Sequence, residues 1–261
     1  MKYKFFVAFI VLFFALCVVS HDVSAKEKKW RQKKSEHFIV YFQDVPNDFI
    51  EEIIDEAERH YIKITQNLGF TRYDFWIWDN RAKIYIYDDK DDFINTTNQP
   101  QWSGGVVHYQ QKIIKTYPQM AGFFDSLLPH ELGHIIFREF VGNDTRIPLW
   151  LDEGVASYQE RTKRIAADRV VKRALKMESF IGLEELTKMD VRKVTDRKQV
   201  ELFYAESVSV VNFIISKYGR GIFGWFCRDL RDGDDFKSAL WRFHCRDLEA
   251  LNKKWVKYLK E

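Results

Sequence analysis

Two histidines four residues apart constrain this chain more than any other feature of its sequence. They lie in the segment Pro129-His130-Glu131-Leu132-Gly133-His134. In a helix this spacing places both imidazoles on one face, one turn apart, so that both can reach a zinc ion at ~2.0–2.1 Å. Glu131 then projects beside the metal, where its carboxylate can accept a proton from bound water.

The flanking residues predict a helix over 126–141. Ser126 is suited to cap its N-terminus, Pro129 falls in the first turn, and Gly142 is a natural stop. Gly133 in the middle of this helix costs about 1 kcal/mol relative to alanine. Close approach of another backbone, or of substrate, would explain it.

A third ligand is needed to distinguish a metal site from a pair of capping or core histidines. A metzincin would require glycine and histidine where this chain has Phe137 and Phe140, so that class is excluded. Glu153, in the segment WLDEGVASY, follows His134 after eighteen intervening residues, enough for a turn and an antiparallel helix. Two histidines and one glutamate leave the fourth zinc position open for water, as catalytic sites do.

This combination resembles the pattern of the gluzincin zinc metallopeptidases. It looks closest to the small bacterial peptidase MA-like domains, which are related to the aminopeptidase-N-like and thermolysin-like families. The resemblance covers residues 130–160. It implies that His130, His134 and Glu153 bind Zn²⁺ and that Glu131 is the general base.

The resemblance also implies roles for two further residues. Glu160, seven residues after Glu153 and on the same helix face, corresponds to a carboxylate that orients a zinc histidine. Its alternative is a solvated surface glutamate. Tyr204 corresponds to a tyrosine that donates a hydrogen bond to the developing oxyanion. Its alternative is a packing tyrosine.

One segment departs from the aminopeptidase pattern. Those enzymes carry a GxMEN-like strand whose acid grips the free amine of the substrate, whereas the comparable strand here reads Gly104-Gly105-Val106-Val107-His108. The difference favours an endopeptidase. The strand can still pair with an extended substrate backbone, and His108 is either a cleft residue or an ordinary packed or exposed strand histidine.

Hydrophobic periodicity predicts an α+β fold of zincin-like type, with strands first and helices after, and without alternating βαβ units. We expect one domain over 26–261, β-rich at about 36–118 and helical at about 119–261. A charged leader occupies 26–36. Strands are predicted at 38–42, 83–87 and 104–116. Helices are predicted at 47–68, 126–141, 151–175, 183–189, 202–218, 221–231, 234–242 and 247–260.

The first 25 residues predict a secretory signal peptide. Lys2 and Lys4 precede an apolar run, and the small residues of Val23-Ser24-Ala25 then form the expected cleavage site. We therefore expect a periplasmic or extracellular protein, membrane-anchored only if the signal is retained. Export permits a disulfide between Cys227 and Cys245, and two buried free thiols are the equal alternative.

The formal net charge of the chain is +3, and positive and negative residues are mixed along it. This pattern gives no patch of a single charge sign, which is typical of nucleic-acid binders.

These observations predict an exported zinc peptidase acting on a peptide or protein, with no nucleic-acid partner and no stable membrane insertion after signal removal. The first alternative is a catalytically silent zinc-binding module that binds peptides or protein partners. The second is an exported structural protein whose HExxH sequence is accidental.

Overall fold

The computed structural model of the chain describes residues 29–70, 76–101, 103–118 and 122–261. The predicted signal peptide, residues 1–25, lies outside the described residues. Within the described residues the N-terminal part contains a sheet of five strands, namely β1 (Arg31–Lys34), β2 (Phe38–Phe42), β3 (Ala82–Ile86), β4 (Gly105–His108) and β5 (Ile113–Thr116). Their order is β1-β2-β3-β5-β4.

Helices follow the sheet, and the C-terminal part is helical as predicted. Two helices occur earlier, between the strands: α1 (Asn47–Leu68) and α2 (Lys90–Thr97). The others are α3 (Leu128–Val141), α4 (Leu149–Tyr158), α5 (Arg161–Lys176), α6 (Leu183–Lys188), α7 (Arg197–Tyr218), α8 (Arg220–Arg231), α9 (Phe236–Ala239) and α10 (Leu248–Lys260).

The sheet differs from the sequence prediction in three respects. The charged segment at 31–34 is not a leader but edge strand β1, antiparallel to β2. The predicted strand at 104–116 is a hairpin of β4 and β5, with Lys112 in the left-handed region at φ 53°. The predicted absence of βαβ units was also wrong: α1 connects β2 to β3, α2 and β4 lie between β3 and β5, and both strand pairs are parallel.

Two helix pairs of the C-terminal part approach each other closely at glycines. An added Cβ on Gly133 of α3 would lie 2.9 Å from the Ala156 Cα of α4. One on Gly154 of α4 would lie 2.5 Å from the Ser207 carbonyl oxygen of α7. Of the two explanations for Gly133, the structure therefore favours a neighbouring backbone. Helix α4 lies between α3 and α7 with no room for a side chain at either crossing.

A buried carboxylate on α7 holds the loop that precedes α6. Glu206 has no exposed surface, and it accepts hydrogen bonds from the backbone N–H groups of Ile181 at 2.8 Å and Gly182 at 3.1 Å. Burial raises the pKa of Glu206 to about 7, although these two hydrogen bonds oppose the shift.

Both cysteines of the described chain are free thiols. Cys227 and Cys245 are buried, and burial raises the pKa of each. Of the two alternatives, the structure therefore shows two buried free thiols and no disulfide between Cys227 and Cys245.

Among the described residues, none of the helices combines the length and the apolarity needed to cross a bilayer.

Candidate metal centre

Helix α3 presents the two histidines, but it does not begin as the sequence suggested. A π-helical turn, Phe123–Leu127, precedes it, and the N-cap position is Leu127 with no side-chain cap. Ser126 is therefore not the cap: its hydroxyl donates to the Glu160 carboxylate. Pro129 lies near the start of the helix, where its missing N–H leaves no hydrogen bond unmade.

Helix α4 brings a carboxylate to the face of the two imidazoles. After α3 ends at Gly142, which has φ 93°, the chain turns through Pro148 at the N-cap of α4. The Glu153 Oε2 atom lies 3.8 Å from His130 Nε2 and 3.6 Å from His134 Nε2. The two Nε2 atoms are 3.2 Å apart. The structure thus brings together the three residues that the sequence singled out as ligands.

The donor set fits a divalent metal. Ligand atoms at ~2.0–2.1 Å around a tetrahedral ion are ~3.3–3.4 Å apart, close to the observed triangle. The Nδ1 atoms of both histidines donate to carboxylates, so that the two Nε2 atoms face one another and Glu153. His130, His134 and Glu153 thus form a group that can hold a metal ion.

Glu160 contacts the first histidine. His130 Nδ1 donates to Glu160 Oε1 at 2.8 Å, and the Lys163 ammonium donates to the same oxygen at 2.6 Å. Glu160 is buried at the N-cap of α5 and is not a solvated surface residue. Burial opposes ionisation, but the hydrogen bonds from His130, Lys163 and Ser126 hold the pKa of Glu160 below its usual range.

Asp152 makes the matching contact with the second histidine, and sequence reasoning missed it. His134 Nδ1 donates to Asp152 Oδ1 at 3.0 Å, and the Arg138 guanidinium donates to Oδ2 at 2.7 and 2.9 Å. Burial opposes a charge on His134, yet hydrogen bonds to Asp152 and Glu153 raise its pKa to about 10. The carboxylates thus favour a positive charge at this ring. The only sequence signal was the position of Asp152 directly before Glu153.

Glu131 lies beside the three candidate ligands and not among them. Burial raises the pKa of its carboxyl group, an effect that the nearby His130 and His134 oppose. A carboxylate kept from water in this way is a better proton acceptor than a solvated one. This environment suits the proton-accepting role that the sequence predicts for Glu131.

Two tyrosines lie close to these carboxylates, one from each part of the molecule. Tyr204 of α7 was predicted; burial and the nearby charge of Glu153 raise its pKa to about 12. Tyr109, in the turn after β4, was not predicted. Its ring centroid lies 5.2 Å from that of His134, and burial together with the acidic groups of the site raises its pKa. The neighbouring His108 is exposed at the end of β4.

Comparison with known proteins points the same way as the geometry. None of the curated proteins matches the chain. The family model of the Peptidase MA superfamily matches residues 77–261, which include β3, the hairpin and every helix from α2 onwards. The match covers more than half of the chain and all the residues of the candidate metal centre. The chain therefore belongs to the Peptidase MA superfamily.

Proposed function

We propose that this chain is an exported zinc-dependent peptidase of the zincin-like type, with a preference for internal peptide bonds. The observation that carries the proposal is the triangle of donor atoms from His130, His134 and Glu153, with the buried carboxylate of Glu131 beside it. Structural zinc sites are closed by four protein ligands, whereas catalytic sites keep one position open. Three ligands next to a proton acceptor are typical of the catalytic kind.

The residues around the site have complementary roles in hydrolysis. Zinc, when bound, would polarise water and the scissile carbonyl. Glu131 accepts the proton of the attacking water and then transfers it to the leaving amine. Tyr204, whose raised pKa keeps the phenol protonated, donates a hydrogen bond to the developing oxyanion. Glu160 and Asp152 hold the two imidazoles with their Nε2 atoms towards the site.

The preference for internal bonds rests on strand β4. Among the described strands β4 pairs only with β5, so that its other edge can pair with an extended peptide. Its sequence, with the residue before it, is Gly104 to His108 and has no acid to bind a free amine. A substrate held by its backbone needs no free N-terminus.

A catalytically silent zinc-binding module is the second candidate. The same three ligands support it, since a peptidase-like domain that has lost its catalytic activity can still bind the metal. The retained Glu131 argues for the enzyme, because a module without catalysis has no need of a buried base whose ionisation burial disfavours.

The test begins with the metal and then isolates the base. We expect about one zinc per chain in the purified protein and little in His134→Ala, since three ligands hold the ion. Glu131→Gln keeps the zinc, while cleavage of a broad peptide library falls by ~10²–10⁴-fold. Zinc binding without cleavage by the parent protein would favour the silent module. Absence of zinc after reconstitution would overturn both candidates.

A further inference from the structure

Helix α5 carries most of its charge with one sign. It has seven lysine and arginine residues and a single acid, Asp168. The Asp168 carboxylate does not neutralise them, because it is directed into the protein. It accepts hydrogen bonds from Ser209 Oγ at 2.6 Å, Asn212 Nδ2 at 3.1 Å and the Tyr258 hydroxyl at 3.3 Å.

The outward face of α5 gathers five of these cations. At about 100° per residue they fall within an arc of ~120°, opposite the side chains that pack inwards. All five are exposed, and none forms a salt bridge with another residue of the described chain. We call this surface the basic face; it consists of Arg161, Arg169, Lys172, Arg173 and Lys176. The inward-packing side chains are those of Ala167, Val171 and Ala174.

Apolar side chains are exposed on the same helix and at its C-cap, Met177. Ile165, in the middle of the basic face, is 63% exposed, and Val170 and Met177 at its flank are 43% and 64% exposed. Two acids, Asp196 and Glu201, line a groove at that flank with Val170 and with Arg173 of the basic face, but neither forms a salt bridge with Arg173. Glu201 already forms a salt bridge within its own helix, α7. The basic face therefore combines unneutralised charge with uncovered apolar surface.

We propose that the basic face docks peripherally on an anionic phospholipid surface. Headgroup phosphates complement the five cations, while the interfacial region accepts isolated apolar side chains such as Ile165. A nucleic-acid backbone would meet the charges but leave the apolar side chains uncovered. The inference is independent of the proposed peptidase activity, because none of these residues contributes to the metal centre.

The experiment measures partition of the chain without its predicted signal peptide, residues 26–261, onto vesicles of phosphatidylglycerol and phosphatidylcholine in equal parts, against phosphatidylcholine alone. Each cation near an anionic surface raises the partition coefficient about fivefold. The variant R169Q/K172Q/K176Q should therefore bind the anionic vesicles about a hundredfold more weakly. The control K63Q/K90Q/K237Q removes the same charge from exposed positions elsewhere and should bind like the parent.

A local probe separates docking by α5 from binding by any other part of the chain. A polarity-sensitive dye on Thr162→Cys, at an exposed position of the basic face, should shift to the blue only with anionic vesicles. The same dye on Thr96→Cys of α2 should not shift. Equal losses in the two charge variants, or no shift at residue 162, would overturn the proposal. Tighter binding of a DNA duplex or of polyglutamate through the same three cations would do so as well.

Discussion

Replacing Gly133 by alanine tests whether backbone contact between α3 and α4 sets the geometry of the metal centre. The added Cβ would lie 2.9 Å from the Ala156 Cα, whereas ordinary contacts begin at 3.4 Å. The obstructing atom belongs to the backbone and cannot rotate away. The two helices must therefore separate by about 0.5 Å at this crossing, the difference between those distances.

Two effects on stability oppose each other. Alanine in mid-helix gains about 1 kcal/mol over glycine, and overpacking costs ~1–3 kcal/mol. The net loss should be about 1 kcal/mol. The proposed metal binding should respond more strongly, because α3 carries His130 and His134 whereas α4 carries Glu153, and metal–ligand distances tolerate only ~0.2 Å. We expect zinc affinity to fall by roughly ten- to a hundredfold, as when groups that orient ligands are lost.

The assay pairs chemical unfolding of the metal-free protein with zinc competition against a chelator. Gly221→Ala is the matched control, since its added Cβ meets no atom within 4 Å. It should leave zinc affinity unchanged and stability equal or higher by up to about 1 kcal/mol. A Gly133→Ala protein with the affinity of the parent would refute the reasoning, even if its stability had fallen.

Three further outcomes are expected. Asp152→Asn should weaken zinc binding by ~10–100-fold in the same competition assay, because the charged partner of His134 is lost; unchanged affinity would count against its role. Burial raises the pKa of Glu206 from 4.5 to about 7. The protonated Glu206 side chain therefore contributes to the free energy of unfolding in full below pH 4.5, and this contribution is lost as the pH rises through 7. Glu206→Gln should therefore flatten the unfolding free energy across this window, which spans up to about 3 kcal/mol; an unchanged slope would contradict it. Tyr204→Phe should lower kcat by ~10²–10³-fold with little change in KM, and Tyr109→Phe should not; the reverse result would exchange their roles.

The charge on the outer face of α5 differs from the charge balance of the whole chain. Over the whole chain the balance is only +3 and both signs are mixed, which predicted no one-signed patch. In the structure the acid of α5 is directed inwards and five cations share its outer face. The sign of a surface depends on which side chains reach it, and this follows from how a helix packs.

The candidate metal ligands could be inferred from the sequence because their geometry is local. A spacing of four residues places His130 and His134 on one helix face wherever that helix lies. The return to Glu153 needed only a turn of fitting length, and the amphipathic pattern located α1 at 47–68 without error. Strand β1 was missed since its residues are polar and exposed on an edge, where no hydrophobic alternation marks a strand.

The tertiary structure decided what surrounds those ligands. Asp152 meets His134, and Tyr109 reaches the same ring from the sheet, only because α3, α4 and the β4–β5 hairpin converge there. The backbone of α4 leaves no room for a side chain at Gly133, which explains the glycine there. Periodicity along a chain specifies which face of an element is apolar, but it carries no information on which other element covers that face. Only the tertiary packing of α3, α4 and the β4–β5 hairpin therefore determines these contacts.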